Sequence, residues 1–253
     1  MSIKSIARPL AFTLAIASLP DFSTAETLVG SNIDSRVYVA VEVSPAGIQS
    51  LMPEGWTSVP FPGGPFEGAN LLLSLIDGVL EMSPEGAPLE PASRRAAVLV
   101  GLGKRDDALR MFVLRVMTTV PERDPYGVAS AAEIERTISL TGPANGARVS
   151  SDEWRIMPAE GGELSFRLNY TTGNRGWSSG ESNPHSTDDP SFSRIYRYDQ
   201  LTDLVASAAL GRPSSGEFSL SSTVEGLMPI FDGSQNAVAV MDIPVYVRKV
   251  YLP

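Results

Sequence analysis

The stretch from Ala96 to Gly127 limits the fold more than any other part of this chain. It reads AAVLVGL, then GKRDD, then ALRMFVLRVMTTV, then PERDPYG. Two apolar runs around a charged turn predict a long β-hairpin. Its second strand runs straight into Pro121-Glu122-Arg123, which sets a charged pair at the end of a mostly buried strand. A strand end is a stiff mount, and charges at the mouth of an apolar core are where binding and catalytic groups sit. The candidate site is placed there.

The rest of the chain repeats the β pattern. Arg36 to Val43 alternates and is β-branched, and Asn70 to Asp77 is a buried run; both predict strands. Between them, Ser44-Pro45 predicts the cap and first turn of a short helix through Leu51. Residues 56–68 are a loop of proline, glycine and aromatics. Its Trp56, Phe61 and Phe66 either roof a pocket or pin the loop to the core. Ser130 to Glu133 fits a capping box. Arg136–Leu140, Arg148–Met157 and Glu163–Thr171 read as strands. Residues 172–192 read as a long mobile surface loop. Asp199 is expected to cap a helix over Gln200–Leu210, whose Leu201, Leu204, Val205, Ala208 and Ala209 fall at helical spacing. Glu217–Val224 and Ala237–Leu252 are the last strands, the second broken at Pro244. No linker divides the chain and no repeat recurs. The fold class is therefore mainly β: one antiparallel, closed or nearly closed barrel-like sheet with one or two short external helices. Such a barrel can enclose a small ligand.

The first residues stand apart. Lys4 and Arg8 precede an apolar run, Leu10 to Leu19, which ends at Pro20 before Ser23-Thr24-Ala25. This is the pattern of a secretory signal peptide cleaved near Ala25. The run is about half the ~20 residues needed to span a bilayer, and no later run is long enough to insert. The expected organisation is a leader over residues 1–25 and a single domain over 26–253, periplasmic or secreted. The chain has no cysteine and one histidine. That excludes thiol nucleophiles and disulfides and leaves little to bind zinc or copper, so neither metal nor cofactor is expected. The formal charge is −9. Removing residues 1–25, which carry Lys4, Arg8 and Asp21, leaves −10, a charge that repels nucleic acid and anionic membrane surfaces. After the leader the lysines are Lys104 and Lys249.

Several local patterns spell chemistry without supporting it. Gly176-Trp-Ser178-Ser-Gly180 matches a nucleophile elbow, with His185 and Asp188 or Asp189 nearby. An elbow needs a strand before the serine and a helix after it, and Pro184 and Pro190 deny the helix. Gly101-Leu-Gly103-Lys104 lacks the spacing of a phosphate loop. The pairs Asp106-Asp107 and Asp188-Asp189 lack the alternating ligands of a calcium loop.

Three segments, in order, resemble acetoacetate decarboxylase-like proteins. Leu51-Met-Pro53-Glu54-Gly55 follows the first strand and helix. Val120-Pro121-Glu122-Arg123-Asp-Pro-Tyr126-Gly127 is similar to the family's segment holding an aromatic, a proline and a lysine pair. Ile243-Pro244-Val-Tyr-Val-Arg-Lys-Val-Tyr251 is similar to its ending. The resemblance implies a β-rich, barrel-like fold around an apolar cavity, often in oligomers. In the enzymes of that family the first lysine of the pair forms a Schiff base with a keto acid and the second lowers its pKa. Here Glu122 and Arg123 stand at those positions. A carboxylate forms no imine, and a guanidinium stays protonated. Lys104 sits in a charged turn. Lys249 shares a strand face with Val245, Val247 and Tyr251 and either enters the cavity or snorkels outward. Imine-forming decarboxylation is therefore not expected.

Three readings remain open. The cavity binds a small organic acid or lipid-like molecule, gripped by Arg123 and oriented by Glu122, with Tyr126 and Trp56 completing the contact. Alternatively Glu122, desolvated against Pro121 and Tyr126, is a general acid or base acting on a carbonyl compound. Or Glu122 and Arg123 pair with neighbours such as Arg115 or Asp124 at a contact between copies of the chain, and side chains fill the core.

Overall fold

The computed structural model describes residues 25–253. Apart from Ala25, the leader expected over residues 1–25 lies outside the described residues. The described chain is mainly β. β1 (Thr27–Glu42) is followed by helix α1 (Pro45–Gln49) and the short β2 (Thr57–Val59). Next come β3 (Leu71–Met82), β4 (Arg94–Arg105), β5 (Ala108–Thr118), β6 (Ala129–Thr141), β7 (Val149–Pro158) and β8 (Leu164–Thr171). β9 (Arg175–Ser182), β10 (Pro184–Ser186), β11 (Ile195–Ser207), β12 (Gly216–Ser222) and β13 (Asn236–Leu252) complete it. The predicted hairpin is β4–β5, which turns at Asp106-Asp107 and pairs from Arg105↔Ala108 to Ala96↔Thr118. The predicted Ser44 cap accepts a hydrogen bond from the Gly47 amide, with Pro45 in the first turn of α1.

The hydrogen-bonded order is β12-β8-β7-β6-β5-β4-β3-β1-β13-β11-β9, with β2 on β4 and β10 on β5. This corrects the expected closed antiparallel barrel in two respects. The order is open at β12 and β9, and the sheet is mixed: β5 pairs in parallel with both β6 and β10. The expected helix over 200–210 is the second half of β11, hydrogen-bonded on one side to β13 and on the other to β9. β13 pairs it as far as Ser207 and β9 as far as Asp203, and this pairing outweighs the helical spacing of its leucines. Asp199 lies within the strand rather than capping anything. Ser130 to Glu133 likewise lies in β6. The expected loop over 172–192 contains β9 and β10; its serines and glycines suit an exposed edge strand.

The chain buries two faces. Odd-numbered residues of β1 and β3 (Val37, Val39, Val41, Leu71, Leu73, Leu75) pack against Trp154, Ile156, Phe166 and Leu168 from β7 and β8. Each such side chain contributes about 1.5–3 kcal/mol on burial. The even-numbered residues of β1 and β3 face the other way, and that is where the candidate site lies. Among the described residues no helix is long and apolar enough to cross a membrane, and no group of three His, Asp or Glu side chains is placed to hold a metal ion.

One buried acid is separate from that site. Asp242 accepts a hydrogen bond from the Tyr170 hydroxyl at 2.6 Å. Burial pushes its carboxyl up to about 6, against the help of that hydrogen bond and with Asp152 and Asp203 adding to the rise. Between about pH 4 and 6 the native state holds a proton that the unfolded chain releases. Stability therefore falls as pH rises through that window and stays lower above it. Asp242→Asn is expected to remove this slope and to stabilise the protein at pH 7.5 by about 2–3 kcal/mol, and by little at pH 4. Urea denaturation at the two pH values checks it; an equal change at both would count against the account.

Candidate functional site

The even-numbered faces of β1 and β3 border a cavity of about 290 Å³. Strand register orders its wall along one axis. At one end Leu72 pairs with Ala40 and Val100, beside Phe61 and Phe66. In the middle Ile76 pairs with Arg36 and Ala96. At the other end Glu81 pairs with Asn32, and Asn32 with Arg248. The chamber is apolar at its far end and rich in arginine and tyrosine at the near one.

Two irregularities create the polar end. On β3 the partners of Ile33 and Asp34 are Leu80 and Gly78, so Val79 is passed over. The slip turns Glu81 inward, where it lines the cavity while 8% exposed. On β13 the register slips at Pro244 against both β1 and β11. Proline has no amide to donate, and a bulge is where a central strand tolerates it. Before the slip Ala239 clusters with Leu72 and Val100, and Val240 joins the opposite core with Trp154 and Phe166. After it the alternation is reversed, and Tyr246 and Arg248 line the cavity.

The two arginines at this end differ in what they have left to offer. Arg36 donates from Nε and Nη2 to the two Asp34 oxygens at 2.7 and 2.6 Å, and from Nη1 to the Tyr38 hydroxyl at 3.0 Å. Its guanidinium lies 3.4 Å from the Tyr246 ring centroid, and Tyr246 stacks on Tyr198. The Asn32 amide also donates to Asp34. Burial opposes the Arg36 charge, but Asp34, Tyr38 and Tyr246 outweigh it and hold its pKa well above the ordinary value. Arg36 is committed to the wall. Arg248 is not. Its Nε donates to Asn32 Oδ1 at 2.7 Å and its guanidinium lies 4.0 Å above the Tyr196 ring. Among the described residues no acceptor meets its two terminal nitrogens. Beside it the Tyr196 and Tyr126 hydroxyls share a hydrogen bond. Burial, followed by the charge and hydrogen bond of Tyr196, pushes the Tyr126 phenol up, so it stays neutral.

No family profile and no curated protein matches the chain. Solved structures do. The enduracididine biosynthesis enzyme MppR, complexed with pyruvate, superposes with a TM-score of 0.52 over 97% of this chain and 96% of its own, at 11% identity. An acetoacetate decarboxylase-like enzyme from Sphingomonas wittichii RW1 superposes with a TM-score of 0.51 over 93% of this chain and 96% of its own, at 14% identity. The chain has the acetoacetate decarboxylase-like fold. On this decarboxylase-like fold the four residues singled out from the sequence do not come together. Glu122 is exposed in a single 3-10 turn and does not line the chamber. Arg123 turns to Glu81 Oε2 at 3.2 Å and to the Pro91 carbonyl at 2.7 Å, beside the chamber's arginine end. Tyr126 is buried and lines the chamber. Trp56 is 2% exposed and sits in the core that β1 and β3 share with β7 and β8, edge-on to Phe112, where it pins its loop and does not line the chamber.

Lys104 and Lys249 are exposed and do not line the chamber. Gly176 to Gly180 pairs with β11 residue by residue, from Thr202 to Tyr198, so Ser178 sits in a regular strand and not in an elbow. His185 packs against Phe112, with Nδ1 3.1 Å from the Pro190 carbonyl; burial, then Arg110, lowers its pKa. Sequence reasoning missed Arg248, Tyr196, Glu81 and Arg94 as cavity residues. Pro244 in the middle of a long strand was the available signal that the inward face changes there.

Proposed function

We propose that this is an exported, single-domain protein whose chamber binds a small organic acid, without imine chemistry. The ligand's apolar part lies against Leu72, Val98 and Val100, and its carboxylate meets Arg248. In this reading the β9–β10 run, interrupted only at Asn183 and paired through β10 to β5, serves as the last stave that closes the chamber. One observation carries the reading: a guanidinium at the polar end of an apolar chamber, oriented through Nε and stacked on an aromatic ring, with its terminal fork unpaired. That fork matches a carboxylate in geometry and charge. MppR, on the same fold, is complexed with a small organic acid, pyruvate. Both lysines among the described residues, Lys104 and Lys249, lie outside the chamber, which supports the reading without imine chemistry. A general acid–base role for Glu122 finds no support in its exposed position.

Octanoate tests the reading. At a hundredfold excess over Kd, binding contributes about 2.7 kcal/mol and is expected to raise Tm by roughly 5–10 °C. Acetoacetate with borohydride is expected to leave the protein mass unchanged and to release no carbon dioxide above background. No thermal shift with octanoate or any other monocarboxylate of similar size would end the reading. A borohydride-fixed adduct would end its second half.

A further inference from the structure

The arginine end of the chamber adjoins a second cavity of about 250 Å³, and Asn32, Glu81, Arg94, Pro125, Tyr196 and Arg248 line both. Four guanidinia line this second cavity: Arg94, Arg123, Arg194 and Arg248. The one carboxylate lining it is Glu81. Glu81 is already taken: Oε1 pairs with Arg94 Nε at 2.6 Å and Oε2 with Arg123 Nη1 at 3.2 Å. Asp124, on the neighbouring chamber wall, uses its oxygens on the Tyr126 and Val128 amides. Arg194 and Arg248 are left without a carboxylate among the described residues. The Nε of Arg194 is buried with no hydrogen-bond partner. This excess of positive charge sits in a protein of net charge −9. Like charges gathered in a partly dehydrated space repel, and a buried donor without an acceptor is destabilising. A ligand that supplies the missing negative oxygens removes both costs.

A single carboxylate can neutralise one of the two spare guanidinia but not both. Resting on the organic-acid reading above, we infer that the ligand is an amphiphile whose head carries two negative charges. The apolar tail lies in the chamber and the head lies in the second cavity, between Arg194 and Arg248. The chemistry they recognise is a pair of anionic charges on oxygen at one end of an apolar chain. A dicarboxylate head or a phosphate monoester meets it. A dicarboxylate with its charges at opposite ends does not, because its second charge would face Leu72 and Phe61.

The test is a calorimetric titration at pH 8 and low salt, where a phosphate monoester is doubly ionised, using octanoate, octylsuccinate and octyl phosphate. At least one dianion is expected to bind tenfold or more tightly than octanoate, and the preference is expected to shrink as salt is raised. The dianion that wins names the head group. Arg194→Gln is expected to abolish the preference while leaving octanoate within about threefold, and Arg194→Lys to keep most of it. Equal affinity for all three probes, or a preference untouched by Arg194→Gln, overturns the inference and leaves the carboxylate reading standing. If none of the three binds, both fall.

Discussion

Replacing Asp34 with alanine is expected to destabilise the protein by about 3–5 kcal/mol, the cost of leaving a buried charge without its partner. The Asp34 and Arg36 side chains are 0% and 4% exposed. Asp34 accepts two hydrogen bonds from Arg36 and one from Asn32. A guanidinium cannot discharge itself by losing its proton, so Arg36 would remain charged and desolvated. Its stacking on Tyr246 offsets about 2 kcal/mol at best. The double change Asp34→Leu with Arg36→Met is expected to recover much of the loss, because it removes both charges from the same space. Chemical denaturation of the two variants at pH 7 reads the difference. A loss below 1 kcal/mol for Asp34→Ala would mean that water reaches Arg36 and that the wall is not as dry as its burial indicates.

Arg248→Met is the second large effect. The substitution keeps most of the side-chain stem over Tyr196 and removes the fork. Octanoate affinity is expected to fall about 30- to 1000-fold, the range for 2–4 kcal/mol lost with a charge-assisted pair. Arg248→Lys is expected to recover only part, since an ammonium cannot make the bidentate contact. Stability of the ligand-free protein is expected to change by about 1–2 kcal/mol, because among the described residues Arg248 has one side-chain hydrogen bond, to Asn32, and its stacking on Tyr196 to lose. Titration of the variants against octanoate decides the matter. Unchanged affinity would move the carboxylate to another part of the chamber and remove the basis of the proposed function.

The elements read correctly from the sequence are those whose cause is local. The β4–β5 hairpin follows from two apolar runs around a charged turn, and α1 from Ser44 and Pro45 at its start. The resemblance of three segments in order, 51–55, 120–127 and 243–251, also pointed to the decarboxylase-like fold that the solved structures share. β11 was misread because its leucines fall at helical spacing, while its pairing partners lie some 20 residues before it in β9 and 40 residues after it in β13. A propensity of tenths of a kcal/mol per residue yields to a ladder with β13 as far as Ser207 and one with β9 as far as Asp203.

The site was least legible because it depends on parity. Val245, Val247, Lys249 and Tyr251 were correctly grouped on one face, but their strand could not say whether that face pointed in. A one-residue slip at Pro244 turns Tyr246 and Arg248 to the chamber, and a slip at Val79 does the same for Glu81. By itself the sequence determined the β-rich class, the central hairpin and the scarcity of lysine, since these reside in residue types and short-range patterns. Only the tertiary structure decided which arginines face the chamber. In a strand every side chain changes sides with a shift of one residue, and that shift is set by the neighbouring strands.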